Sequence, residues 1–138
     1  MNKLKSDYST MSTPAKLSLL WAFLLFNYIY CDLFTAFDPI VLKSLVATGT
    51  SGGMEFTQAF LLAFSIALEI PIAMFLLSRV LKYKANRVAN IVAGTIMLII
   101  QVSSLMGPAT NYYIFFSVIE IACMLWIIRS AWKWKNNQ

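Results

Sequence analysis

Residues 56–81 read FTQAFLLAFSIALEIPIAMFLLSRVL. The run is apolar over the length that crosses a bilayer as a helix, about 20 residues. Near its middle it carries a carboxylate, Glu69, and two residues on a helix breaker, Pro71. Three similar runs occupy about 17–37, 88–106 and 112–132. The expected fold is all-α: an integral membrane four-helix bundle built from two antiparallel hairpins. Residues 1–16 then form a polar N-terminal tail, residues 17–135 one membrane domain, and residues 136–138 a short C-terminal tail.

The composition agrees with this reading. Of 138 residues, 59% are hydrophobic and 12% charged, and mean hydropathy is +0.70. A soluble domain carries roughly 25% charged residues. The first run is too long for a signal peptide, lacks a small-residue cleavage site and precedes three more spans, so it reads as uncleaved.

The net charge is +5, and its placement excludes a nucleic-acid surface. Lys3, Lys5 and Lys16 precede the first span. Arg79, Lys82, Lys84 and Arg87 surround the turn between the second and third, and Arg129, Lys133 and Lys135 end the fourth. Only Lys43 lies on the other side, so ten of eleven basic residues share one side. That bias orients membrane proteins with the basic side in the cytoplasm, which puts both termini there.

The longest loop, Asp38 to Glu55, opens with DPIVLKSLVATG. Asp38 suits an N-cap, Pro39 the first helical turn and Gly49 a C-terminal stop. A short surface helix is expected, with a lid over the bundle as an alternative, followed by a flexible TSGG joint. Gly107–Asn111 reads as a tight connector that makes the last two spans antiparallel neighbours.

Cys31 and Cys123 each lie inside a span, without a CxxC motif, and read as buried thiols. The chain has no histidine, which excludes His-ligated metals and a Ser-His triad. No cofactor is expected, and a non-enzymatic role is favoured.

Polar side chains inside lipid are costly. Asp or Glu near the midplane costs on the order of 2.5–3.5 kcal/mol. Intramembrane polar residues are therefore where function is sought. By helical rise Glu69 lies ~20 Å from its outer end, Glu120 ~12 Å, and Asp32 and Gln101 ~8 Å. Asp32, Gln101 and Glu120 can share one layer, with Asn27 and Glu69 beneath it. Facing inward, they line an outward-opening acidic cavity with Tyr30 as an aromatic wall. Pro71 withholds an N–H from the Ala67 carbonyl and shapes that cavity. The plainer alternative makes the acids and amides hydrogen-bonded packing devices between helices.

A faint internal repeat runs from Glu69, EIPIAMFLLSRVLKYK, and from Glu120, EIACMLWIIRSAWKWK. Aligned without a gap, Glu69 meets Glu120, Lys82 meets Lys133 and Tyr83 meets Trp134. Two parallel helical hairpins related by an axis along the membrane normal produce such a pattern.

The stretches FNYIYCDLF, EIPIAMFLLSRVLKYKANRVANIVAGTIM and YYIFFSVIEIACMLWIIRSAWKW resemble a family of small four-span prokaryotic membrane proteins of unknown function. The resemblance covers nearly the whole chain after the tail. It implies a helical bundle, here in a prokaryotic inner membrane, and carries no activity. A weaker similarity, in Asp32 and the Glu69–Pro71 pair, is to the sterol-isomerase and sigma-receptor type of membrane bundle. It implies a cavity for a hydrophobic ligand, a cation among the options, without the histidines of isomerase chemistry.

The leading expectation is a lipid-embedded protein that binds or moves a small amphipathic molecule. Its contacts are Asp32, Glu69 and Glu120, supported by Asn27, Gln101 and Tyr30. The alternatives are a proton-coupled homodimeric exporter and an accessory subunit of a membrane complex. A lipid-modifying enzyme ranks last.

Overall fold

The computed structural model describes residues 10–135. The start of the expected N-terminal tail, with Lys3 and Lys5, and the tail at 136–138 lie outside the described residues. Five helices and one small hairpin follow in order: α1 (Thr13–Phe37), α2 (Pro39–Thr48), β1 (Thr50–Ser51), β2 (Met54–Glu55), α3 (Gln58–Val80), α4 (Tyr83–Ser104) and α5 (Asn111–Lys133). Helices α1, α3, α4 and α5 are each long and apolar enough to cross a membrane. They pack into a four-helix bundle, as expected.

Helix boundaries differ from the apolar runs where polar residues still favour a helix. α1 begins at Thr13 because Pro14 sits in its first turn, where the missing N–H costs nothing. α4 begins at Tyr83, ahead of the apolar residues, and so includes Lys84 and Arg87. Arg87 donates from Nε to the Ala131 carbonyl at 3.2 Å and from Nη2 to the Trp132 carbonyl at 2.9 Å. Tyr83 donates to the Trp134 carbonyl at 2.9 Å. These bonds serve the Trp132 and Trp134 carbonyls at the end of α5 and give the Ala131 carbonyl a second donor beside the Trp134 N–H.

α2 forms for the reasons its sequence offers. The Asp38 carboxylate accepts from the Ile40 N–H at 2.9 Å and the Val41 N–H at 3.4 Å. Gly49 closes the helix at φ 68°. The stretch after it is not a loose joint. Thr50–Ser51 pairs antiparallel with Met54–Glu55, Ser51 opposite Met54. Gly52 and Gly53 make the two-residue turn at φ 57° and 81°. A tight primed turn needs positive φ at both central positions, which Gly-Gly supplies.

The spans form a ring. α1 packs on α3 and α5, α4 packs on α5, and the α3–α4 side is sparse. The inward stripe of α1 is Leu17, Trp21, Leu24, Tyr28 and Cys31; that of α5 is Ser117, Glu120, Met124, Ile127 and Ala131. α3 buries only Pro71, Met74 and Ser78, with Leu68, Ile70 and Leu77 half-buried against the core. Gly94 lets α4 approach α5 closely, since a Cβ there would sit 2.9 Å from Ile128 Cγ1.

The half of the bundle nearer the α3–α4 turn is solid. Trp21 Nε1 donates to Asn90 Oδ1 at 2.7 Å, and Ser78 Oγ to the same oxygen at 3.2 Å. Asn90 Nδ2 donates to Asn86 Oδ1 at 2.7 Å, and Asn86 Nδ2 to the Ser78 carbonyl at 2.7 Å. Buried polar groups are affordable when each finds a partner, and this network ties α1, α3 and α4 together.

Candidate functional site: an acidic chamber in the loop-side half

The opposite half, beneath α2 and the hairpin, is hollow. A cavity of about 50 Å³ lies among all four spans. α1 supplies Tyr28, Cys31 and Asp32, α3 supplies Phe64, Ala67 and Leu68, α4 supplies Met97, Ile100 and Gln101, and α5 supplies Tyr113 and Glu120. Glu120 is 1% exposed. Its Oε1 is, among the described residues, a buried side-chain oxygen without a hydrogen-bond partner. Asp32 sits at the mouth, exposed on one side and lining the cavity on the other.

Three other polar side chains of the wall are engaged. Gln101 Nε2 donates to Ser117 Oγ at 2.8 Å, one turn from Glu120. Tyr113 donates to Ser104 Oγ at 2.7 Å, and Ser104 in turn to the Gln101 carbonyl at 2.7 Å. Tyr28 donates to Met124 Sδ at 3.8 Å. The buried acceptor left unengaged is a carboxylate oxygen of Glu120, and a buried carboxylate calls for a cation or a donor.

Two larger spaces adjoin the chamber. A groove of about 340 Å³ runs between α1 and α3, lined by Leu25, Phe26, Ile29, Ile72 and Phe75 among others. Tyr28, Asp32 and Leu68 line both groove and chamber. Most of its rim faces outward, with Phe26 62% exposed. A second space of about 480 Å³ lies under α2 and the hairpin, and Tyr113 separates it from the chamber.

Asp32, Gln101 and Glu120 therefore meet at one cavity. The other expected contacts do not. Glu69 is exposed on the outward face of α3, two residues from Pro71, which is buried. At 100° per residue, two residues turn a side chain to the far side of a helix. Pro71 and Glu69 cannot both face in, and the ring takes the core position. Asn27 spends its amide on the Phe23 carbonyl of its own helix at 2.9 Å. Tyr30 is 54% exposed, because the inward stripe of α1 passes through Tyr28 and Cys31. The aromatic wall is made by Tyr28, Phe64 and Tyr113. Pro71 does not line the chamber, but Ala67, whose carbonyl it cannot serve, does.

The repeated glutamates likewise occupy different surroundings, Glu69 outside and Glu120 in the core. Cys31 and Cys123 are free and buried. Among the described residues no group of three metal-ligating side chains converges.

These features define a four-helix membrane protein with a carboxylate-lined chamber. The chain belongs to a family of unknown function, DUF6326, which it matches over residues 10–138. No curated protein matches it, and no solved structure does.

Proposed function

We propose that the protein binds a small amphipathic cation, its ammonium head in the chamber and its apolar tail in the groove between α1 and α3. The observation that carries this reading is the sharing of Asp32 between the two spaces. Volumes support the division. A chamber of about 50 Å³ admits a head group or one or two waters, since a water claims about 30 Å³. Pockets for whole ligands span roughly 300–1,000 Å³, and the groove, at about 340 Å³, has that scale.

The roles follow from position. Glu120 is the terminal acceptor, held in place by packing rather than by its own hydrogen bonds. Asp32 meets the head group at the mouth, and Gln101, fixed by Ser117, borders the polar floor. Tyr28 and Tyr113 offer ring faces, which attract ammonium groups in dry surroundings. The charge bias supports a reading with both termini in the cytoplasm, here taken with a prokaryotic inner membrane. The chamber then lies in the outer half of the inner membrane and fills from the lipid side.

The test compares dodecylamine with dodecanol for binding to the purified protein. The amine should bind at least about tenfold more tightly, the scale of one charge-assisted hydrogen bond. Glu120→Gln and Asp32→Asn should each erase most of that preference. Equal binding of amine and alcohol would refute the assignment.

A further inference from the structure

We propose that the outward face of α3 pairs with the same face of a second copy, with Glu69 meeting Glu69 of the other chain at the bilayer midplane. Glu69 is the central residue of the 23-residue α3, about 16 Å from either end. It faces away from its own bundle, at the depth where lipid offers no hydrogen-bonding group. Something other than lipid must meet it.

The surface around Glu69 has the pattern of a helix-pairing seam. Leu62, Ile66, Leu76 and Val80 are the most exposed large apolar residues of α3, at 62–68%. With Glu69 and Ala73 they fall at alternating steps of four and three. That spacing keeps one stripe facing a neighbour through a shallow left-handed crossing. A single polar residue within such a stripe sets register and partner number.

The internal repeat gives independent support. With Glu69 aligned on Glu120, Ile66, Ala73, Leu76 and Val80 fall on Ser117, Met124, Ile127 and Ala131. Those residues, with Glu120, are the stripe by which α5 packs into the core. The face buried in one half of the repeat is thus the face left bare in the other. α3 is also the least buried of the four spans.

The occupant follows from chemistry and orientation. Copies inserted under the same charge bias run parallel, so a two-fold axis along the membrane normal brings each residue of the seam to its own depth in the partner. A carboxylic acid carries one O–H donor and acceptor oxygens. It is therefore its own complement. A different partner would need a donor or cation at the same depth. This pairing surface lies on the outside of α3 and is separate from the chamber.

Disulfide trapping in native membranes tests it, in a Cys31→Ala, Cys123→Ala background. Leu76→Cys should form a disulfide-linked dimer on mild oxidation, while Ile99→Cys, on the outward face of α4, should not. Glu69→Leu should lower the trapped dimer by about fivefold, the effect of one lost hydrogen-bonded contact. Glu69→Gln, which keeps donor and acceptor, should retain it. Equal trapping at both cysteine positions, none at Leu76→Cys, or a different protein captured there would overturn the proposal. So would trapping unaffected by Glu69→Leu. The comparison of the two cysteine positions stands even if a Glu69 variant fails to accumulate.

Discussion

The indole of Trp21 donates to the side-chain oxygen of Asn90 at 2.7 Å, joining the first and third spans across the bundle. Asn90 is the hub of the polar network, and Trp21 one spoke. An intramembrane hydrogen bond contributes ~0.6 kcal/mol on average, so Trp21→Phe should cost little more than that. Asn90→Leu deprives Trp21, Ser78 and Asn86 of a partner at once. It should cost about 2–3 kcal/mol. Equilibrium unfolding in mixed micelles gives both values, and equal losses would contradict the hub.

Glu120 offers a different signature. Its buried Oε1 has no partner, so its retention costs stability. Glu120→Leu, close in volume, should stabilise the bundle by about 1–3 kcal/mol while removing most of the further stabilisation by dodecylamine. Thermal unfolding of the purified protein, with and without dodecylamine, reads both effects. A variant that is less stable would assign the carboxyl a packing role.

Gly94 marks the closest approach of α4 and α5. Its substitution by Ala presses a methyl against Ile128. The overpacking cost, roughly 1–3 kcal/mol, should exceed the gain in helix propensity of about 1 kcal/mol. Adding Ile128→Ala should relieve the crowding, with a coupling of about 1 kcal/mol in the double-mutant cycle. Strict additivity would place the strain elsewhere.

At Asp38 the effect should stay local. Its carboxylate caps α2 and also accepts from the Tyr112 hydroxyl at 3.2 Å. Asp38→Ala should cost about 1 kcal/mol of helix stability and speed amide exchange over residues 40–45. Asp38→Asn should restore most of the protection. Because α2 buries none of its residues, the global unfolding temperature should hardly move.

The spans and the surface helix were legible because their signals are local. Run length identifies a spanning helix, and Asp38, Pro39 and Gly49 punctuate a short one. Facing was not legible. In a soluble helix the apolar side points inward, but here lipid accepts apolar residues on the outside as well. Leu62 and Leu24 look alike in sequence, yet one is exposed and the other buried. The better signal ran the other way, in small and polar residues at helical spacing: Ser117 and Glu120 on α5, Asn86 and Asn90 on α4. Assigning every intramembrane acid to the interior placed Glu120 correctly and Glu69 wrongly. The Trp21–Asn90 bond joins residues far apart in the chain, and no local pattern announces it.

The same network has a mechanical meaning. It clamps α3 to α4 beside their short turn, on the sparse side of the ring. Asn90 lies ~16 Å along α4 from Gln101, so the clamp and the chamber occupy opposite ends of the bundle. A substitution in the chamber wall therefore leaves every bond of the clamp in place.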